Sequence, residues 1–300
     1  MPMELVLPAE VHGAHPGLEA TGAGDISVAG GGSCAKVRRY LPTVNGTAID
    51  IYGAAFVARY GGDSDDGGAP VIEPGLYGVV PTQDDPAIRL LVTDDRAYGR
   101  LTTEVRGARR GIVNIVETAS RCNAFMGGLR GWKTERPATA MVCRYINAVP
   151  DVTLPDGLAL RPVNRSATAT SDAVPLPDAV AVAMASDPGI TDPADEFAAF
   201  LSSLSLSVRL FVAVDKDGIA RATSGCDVFG EYARVFFVNT EPGWRRRGVG
   251  HSMTVAALRT AALSGALRAV LDATDSGASV YTRLGFEVAG RHIRYSRRVP

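Results

Sequence analysis

The sequence is poor in cysteine and histidine, has no long apolar run, and shows no excess of charge of either sign. Its 300 residues include 4 cysteines and 4 histidines, and 31 basic residues face 32 acidic ones. Cys34, Cys122, Cys143 and Cys226 lie far apart and form no C-x-x-C pair. This spacing argues against a disulfide scaffold and a structural zinc site, and we expect reduced thiols.

The even charge balance and the short apolar segments limit the possible partners. A chain without a basic excess is not expected to bind nucleic acid or anionic lipid. Apolar stretches such as 179–185 and 209–214 are far shorter than the roughly 20 residues of a membrane-spanning helix. The first residues include Glu4 and Pro8 but no basic cluster, unlike a secretion signal. We predict a cytoplasmic protein with no membrane span and no nucleic-acid partner.

The length of the chain suits two domains of ordinary size. A break with Pro150 and Pro155 runs from about 147 to 156, which predicts domains over 1–150 and 156–300. Within the first domain, residues 61–75 are rich in glycine, aspartate and proline and predict an exposed loop.

The second half has the clearer pattern of elements. A helix begins at Asp192-Pro193, where Asp195 and Glu196 suit the first turn. Helical spacing of apolar residues predicts a further helix over 249–263, and Gly265 suits its end. Apolar runs between turn residues predict strands over 210–214, 219–225, 232–239, 269–273 and 286–295, with a short helix over 279–283.

The first half repeats this order more weakly. It predicts a strand over 88–93, a helix over 95–106, and strands over 112–116 and 138–144. The segment from Glu117 to Trp132 also parallels the one from Asp272 to Phe286. We interpret this as a degenerate tandem repeat, and the alternative is two unrelated α/β halves.

One segment, from Val238 to His251, joins a predicted strand directly to a predicted helix. A helix start leaves about four N–H groups unpaired and therefore suits a phosphate. Gly248 and Gly250 permit close approach of the backbone, and three arginines from Arg245 add positive charge. No lysine follows Gly250, and Met253 stands where a third glycine belongs. Neither an ATP-hydrolysing P-loop nor a dinucleotide fingerprint is present.

These residues resemble the GNAT superfamily of acyl-CoA-dependent N-acetyltransferases, whose signature is Arg or Gln, two residues, Gly, one residue, then Gly or Ala. Arg245, Gly248 and Gly250 match it in place, and Tyr281 with Leu284-Gly285-Phe286 resembles the family's ending. The resemblance implies an α/β fold with a mostly antiparallel mixed sheet flanked by helices, in two GNAT-like domains. It covers the second half with motifs and the first half in architecture alone.

The resemblance also implies a site. Acetyl-CoA would place its pantetheine arm between the strand ending near Thr240 and the next parallel strand, and Tyr281 would be the general acid for the leaving thiolate. Many family members have Asn where this chain has Thr274. The implied cofactor-binding residues are Val238, Asn239, Thr240, Arg245, Arg246, Arg247, Gly248, Val249, Gly250, His251, Ser252, Thr274, Ser276 and Tyr281.

We therefore expect direct transfer of an acetyl group from acetyl-CoA to an amine acceptor, a small molecule or a protein. The alternatives are a non-catalytic acyl-CoA-binding sensor and a scaffold without a ligand. The base that accepts the amine proton is not identified, and Asp227, Glu231 and Glu241 are candidates. The oligomeric state is left open.

The first half lacks the features of a second cofactor site. Asp94-Asp95 follows its predicted strand where a basic glycine turn would be needed, and Met126 stands at the position that matches Tyr281. Carboxylates at a helix start cap the helix but repel a pyrophosphate. We predict a single cofactor site in the second half, with the first half shaping the acceptor cleft.

Overall fold

The computed structural model describes residues 46–61, 69–80, 87–147, 149–165, 172–205 and 207–297, and all of them belong to one compact unit. The helices are α1 (Ala48–Gly61), α2 (Tyr98–Gly107), α3 (Ser120–Gly127), α4 (Leu176–Ser186), α5 (Ala194–Ser203), α6 (Val249–Leu263) and α7 (Ala278–Thr282). The strands are β1 (Ala69–Glu73), β2 (Leu76–Val80), β3 (Ala87–Val92), β4 (Arg110–Val116), β5 (Lys133–Thr134), β6 (Ala138–Cys143), β7 (Ala159–Asn164), β8 (Val174–Pro175), β9 (Arg209–Val214), β10 (Ala220–Phe229), β11 (Tyr232–Thr240), β12 (Arg268–Ala273) and β13 (Glu287–Arg297).

The strands of the described residues form one mixed sheet. Its order is β1-β2-β3-β4-β13-β6-β12-β11-β10-β9-β7-β8, and β5 pairs with β13. Two parallel pairs, β3 with β4 and β11 with β12, are joined by α2 and α6 respectively. A tight turn reverses the chain and joins antiparallel strands, so these parallel pairs need a longer crossover. The short strands β7 and β8 are also parallel. The fold is therefore mixed α/β, as expected, while its division into two GNAT-like domains stays a prediction.

The two halves of the chain exchange their last strands. Residues 139–143 of β6 pair with 269–273 of β12, and residues 292–297 of β13 pair with 111–116 of β4. The strands β6 and β13 also pair with each other. Neither half completes its sheet from its own residues.

The helices cover both faces of the sheet. Helix α1 packs on Tyr232 and Val270, and α4 and α5 pack on Phe236. Since Tyr232 and Phe236 are an even number of residues apart on β11, these helices lie on one face. Helix α6 packs on Ala233 and Val235, and therefore lies on the opposite face. Arg234 points to the first face, between α1 and the pair α4–α5.

Most predicted elements are confirmed within one to four residues at each end. The loop predicted over 61–75 is wrong in its second part, because Ala69–Glu73 forms β1 and pairs with β2. Pairing with β2 supplies hydrogen bonds that local composition does not reveal. Helix α1 was not predicted, because its residues are apolar on most sides and have no polar face.

The described cysteines agree with the expectation of reduced thiols. Cys122, Cys143 and Cys226 are free and buried, whereas Cys34 lies outside the described residues. None of the helices in the described ranges is long and apolar enough to cross a membrane.

Candidate active site

The loop between β11 and α6 (residues 241–248, here the β11–α6 loop) turns the chain sharply before the helix. Pro242–Trp244 form a 3-10 turn, and Arg246 and Gly248 have positive φ angles of 63° and 82°. A Cβ at Gly248 would meet no atom within 4 Å, so the glycine is needed for its φ angle and borders open space. The Ser252 amide donates to the Gly248 carbonyl at 3.0 Å. The amides before Ser252 therefore have no acceptor inside α6 and can bind an anion.

The three arginines of this loop have different surroundings. The Arg245 guanidinium donates to the carbonyls of Thr240 and Ser186, at 3.0 and 2.7 Å. Arg245 thereby ties the loop to β11 and to the end of α4. Arg246 and Arg247 are exposed, and the Arg247 guanidinium lies 5.1 Å from the centre of the Trp244 ring. The charge that this loop offers to a ligand is therefore that of Arg246 and Arg247.

Trp244 and Glu241 are held by Arg221 of β10. The Arg221 guanidinium lies 6.0 Å from the centre of the Trp244 ring and 2.7 Å from the Glu241 carboxylate. It also pairs with Asp215 at 2.8 Å. These contacts fix the start of the loop, and they place Glu241 in an ion pair rather than free as a base.

The first turn of α6 is anchored in the core. Val249 is buried and packs in a cluster with Met253 and Trp244. The Ser252 hydroxyl donates to the Thr153 carbonyl, while His251 is half-buried. Both the amide and the hydroxyl of Ser252 therefore donate within the protein, so Ser252 does not offer a donor to a ligand, contrary to the expectation from the resemblance.

The strand before the loop is distorted and separates from its parallel neighbour. Phe237 has a φ angle of 59°, and the pairing of β11 with β10 shifts register between Thr223 and Gly225. The Thr223 hydroxyl donates to the Phe237 carbonyl at 2.7 Å and accepts from the Asn239 amide at 3.3 Å. This is a β-bulge fixed by side-chain hydrogen bonds.

On its other side, β11 pairs with β12 only over Tyr232, Ala233 and Arg234. Among the described strands, residues 235–240 have no ladder partner on that side. This gap, called the β11–β12 opening below, is bounded by 235–240 of β11 and 271–273 of β12. Val238 and Thr240 lie along it, and its backbone groups can pair with an extended ligand.

Tyr281 of α7 lies in the core cluster that also includes Val238 and Ala273. Its ring packs edge-on against Phe286, with 5.9 Å between the centres. Its side chain is 9% exposed, and burial raises the pKa of Tyr281 to about 12. Because of this raised pKa, the hydroxyl is protonated at neutral pH. It is also unengaged, since it makes no hydrogen bond to any described residue.

Thr274 and Ser276 form the turn between β12 and α7. The Thr274 hydroxyl accepts from the Gly277 amide at 3.2 Å and lies 3.2 Å from the Ser276 hydroxyl. Both residues are exposed. Thr274 thus supports the start of α7, which carries Tyr281.

The other two candidate bases also have cationic partners. The Asp227 carboxylate lies 3.6 Å from the Arg59 guanidinium and accepts from the Ser207 hydroxyl at 2.9 Å. The Glu231 carboxylate lies 2.7 Å from Arg268. No carboxylate named from the sequence is therefore a free base in this structure.

A buried polar cluster on β12 and β13 was missed by sequence reasoning. Asp272 accepts from the Tyr52 hydroxyl at 2.5 Å and from Arg294 at 3.1 Å, and His292 lies 3.6 Å away. Burial acts to raise the pKa of Asp272, but His292 and Arg294 hold it at about 2. Burial lowers the pKa of His292. Asp272 lies inside the otherwise apolar run 269–273 of β12. This charged residue in an apolar run is the sequence feature that could have indicated the cluster.

The corresponding region of the first half has a different geometry. Strands β3 and β4 stay paired from 87 to 92 and from 110 to 115, and no opening forms. The Asp94 carboxylate accepts from the Arg96 amide and pairs with its guanidinium, which lowers the pKa of Asp94. Met126, at the position that matches Tyr281, is buried in the core.

Comparisons with solved structures identify the fold. The chain is similar to a GCN5-related N-acetyltransferase from Kribbella flavida, with 19% identity and a TM-score of 0.52 over 84% of this chain and 96% of that one. It is also similar to a GCN5-related N-acetyltransferase from Sphaerobacter thermophilus, with 14% identity and a TM-score of 0.50 over 82% and 85% of the two chains. No family model matches the chain, and no curated protein matches its sequence. The chain thus has the GNAT fold.

Proposed function

We propose that this protein is an acetyl-CoA-dependent N-acetyltransferase whose cofactor site lies in the second half. The observation that carries the proposal is the adjacency of two features. The β11–β12 opening accepts an extended chain, and the β11–α6 loop at its end presents unpaired amides to an anion. Together they match the two parts of coenzyme A, a pantetheine arm and a pyrophosphate. The GNAT fold supports the same conclusion.

The residues fit this ligand. The amides from Arg246 to His251 would hold the pyrophosphate, with the exposed Arg246 and Arg247 nearby. Backbone groups of residues 238–240 would pair with the pantetheine amides, and Thr274 and Ser276 border the far side of the opening. Arg245 contributes by fixing the loop. Bound acetyl-CoA supplies a thioester that an amine can attack.

Tyr281 is the residue that we assign to the leaving group. Its hydroxyl is protonated, unengaged and positioned in the same cluster as Val238. A general acid must carry its proton when the carbon–sulfur bond breaks. Tyr281 would give this proton to the departing thiolate, while the amine loses its own proton to water or a carboxylate.

We also propose that the two halves are tandem GNAT-like domains, over 1–150 and 156–300, of which only the second binds acetyl-CoA. Each half has a parallel pair joined by a helix, followed by a short helix and a last strand. The exchanged strands β6 and β13 lie side by side and antiparallel at the centre of the sheet. This is the arrangement expected if an approximate twofold axis relates the two halves. The ionised Asp94 would repel a pyrophosphate in the first half.

The substitution Gly248→Glu tests the cofactor site. It places a carboxylate at the mouth of the loop, and we expect calorimetric titration with acetyl-CoA to show binding to the wild type and none to the variant. Gly265→Glu is the matched control, because Gly265 also has a positive φ angle of 93° and open space around its Cβ. It lies at the other end of the 15-residue α6.

The control separates loss of the site from loss of the fold. Both variants add one negative charge and strain a left-handed position. Only Gly248→Glu places this charge at the proposed cofactor site, so only this variant should abolish binding. A folded wild type that binds no acyl-CoA would contradict the proposal. Binding without any turnover of an amine panel would indicate a sensor instead of an enzyme.

A further inference from the structure

A small cavity lies on the sheet face opposite α6, at the closed end of the β11–β12 opening. Arg234 and Val270 form the last ladder pair before the two strands separate, and both line the cavity. Its volume is about 30 Å³, which is room for two water molecules or one carboxylate group. Its polar lining includes Arg59, Tyr60, Asn114, Arg234, Asp272 and Arg294.

The charges around this cavity do not balance. Three arginines face one carboxylate, that of Asp272. Arg294 is matched, since it pairs with Asp272 at 3.1 Å and donates to the Asn114 side chain at 2.9 Å. Arg59 has Asp227 at 3.6 Å. Arg234 has neither a hydrogen bond nor an ion pair to any described residue, and touches the Phe236 ring with 5.4 Å to its centre.

The titration of two residues agrees with an excess of positive charge at this point. Burial lowers the pKa of Arg234 and so do Arg59 and Arg294, while Tyr60 and Asp272 act in the opposite direction. Burial acts to raise the pKa of Tyr60, yet the pKa of Tyr60 lies below its usual range because the same three arginines are near its ring. Arg234 is half-buried, and a partly desolvated cation without a hydrogen bond or ion pair is costly. An anion that entered the cavity would remove this cost.

We propose that this cavity binds a carboxylate group and that Arg234 recognises it. A planar guanidinium offers two parallel N–H donors to a carboxylate. Given the proposed acetyltransferase function, on which this step rests, the acceptor is an amine that also carries a carboxylate, such as an amino acid. Arg234 would hold the carboxylate at the closed end of the opening, toward which a pantetheine arm entering from the loop extends.

A direct binding experiment tests the cavity without any enzymatic activity. The full chain is titrated with sodium acetate at constant ionic strength, with sodium chloride as the reference, while the arginine Nε signals are followed by NMR. We expect one saturable shift in the wild type and in Arg100→Met, whose surface arginine pairs with Glu104. The shift should be absent in Arg234→Met and partly restored in Arg234→Lys. No saturable shift in the folded wild type, or the same shift in Arg234→Met, overturns the proposal.

A second experiment asks where the carboxylate comes from. Amino acids and the amines that remain after loss of their carboxyl group are compared as acceptors of acetyl-CoA, and release of the thiol is measured. We expect the carboxylate to raise kcat/KM at least about tenfold through KM, and Arg234→Met to abolish this preference. A preference for succinyl-CoA over acetyl-CoA that Arg234→Met removes would instead assign the carboxylate to the acyl donor. A preference that survives in Arg234→Met overturns the role of Arg234.

These experiments distinguish the two proposals. If acetyl-CoA does not bind the wild type but acetate shifts the Arg234 signal, the enzymatic function fails and the carboxylate site stands. If acetyl-CoA binds the wild type and acetate does not, the carboxylate site fails and the enzymatic function stands. Arg234→Met keeps the apolar stem against Phe236 and removes an unpaired cation, so its melting temperature should not fall.

Discussion

Tyr281 has a buried ring and an unengaged hydroxyl, unlike Tyr52, Tyr77 and Tyr295. The hydroxyls of Tyr52 and Tyr77 donate to carboxylates, and that of Tyr295 lies 3.1 Å from the Asn123 side chain. Removing the Tyr281 hydroxyl therefore breaks no hydrogen bond among the described residues. A loss of activity in Tyr281→Phe would report chemistry and not folding.

We predict that Tyr281→Phe lowers kcat about 100-fold, at the low end for loss of a general acid, because a thiolate is a good leaving group. Acetyl-CoA affinity and the melting temperature should stay the same. Since the pKa of Tyr281 is raised to about 12, its proton is retained below that pH. The wild-type rate should therefore show no loss from this group between pH 7 and 10. Steady-state kinetics across this range are the measurement.

The control for this prediction is Tyr145→Phe, which changes a tyrosine that is 66% exposed. It should leave kcat and KM unchanged. If Tyr281→Phe retains the wild-type rate, the hydroxyl is not the acid, and water must protonate the thiolate.

The residues of the proposed site are predictable to different degrees. The sequence predicts Gly248 and Tyr281, because their spacing belongs to a local motif. It does not predict the role of Arg245, since its guanidinium binds the carbonyl of Ser186, 59 residues away. Arg234 and Asp272 were missed for the same reason. Their neighbours come from α1, β4 and β13, which no local pattern brings together.

The parallel strand pairs show how one architecture gives two different outcomes. In the second half, the ladder of β11 with β12 ends at Arg234 after three residue pairs, and the bulge at Phe237 follows three residues later. In the first half, six consecutive pairs join β3 and β4. Beyond Arg234, the edge of β11 that faces β12 is unpaired, whereas β3 and β4 stay paired along their length. Of these two strand pairs, only that of the second half therefore leaves an opening.

We predict that acetyl-CoA binds with a stoichiometry of one per chain. The β3–β4 ladder leaves no gap, and the carboxylate of Asp94 occupies the Arg96 amide that a phosphate would need. Calorimetry of the wild type measures the stoichiometry. A value of two, or binding that survives in Gly248→Glu, would show that the first half also holds the cofactor.

At the scale of the whole molecule, the exchanged strands make each half depend on the other. Without the first half, β12 would lose β6, one of its two neighbours, and β13 would lose both β4 and β6. Unpaired strand edges expose backbone hydrogen-bonding groups. Separation of the halves would also expose apolar side chains that are now buried, such as Met141 and Val142 of β6.

We predict that a fragment of residues 151–300 does not fold alone, although it contains the whole motif of the cofactor site. Gel filtration and thermal unfolding should show aggregation and no cooperative transition. Co-expression with a fragment of residues 1–150 should restore a soluble pair that binds acetyl-CoA, because the cut lies between β6 and β7. A monomeric fragment that unfolds cooperatively would contradict the interdependence of the halves.

The sequence alone determined the elements of the second half, the helix start at Val249 and the residues of the β11–α6 loop, because turns, caps and apolar periodicity act over a few residues. The tertiary structure decided which strands became neighbours. It placed β13 beside β4 and β6 beside β12, opened the gap between β11 and β12, and left Arg234 without a carboxylate. The pairings of β13 with β4 and of β6 with β12 join residues more than 100 positions apart, and the opening lies between strands paired 36 positions apart. Strand pairing and burial select such contacts together, and local pattern cannot encode them.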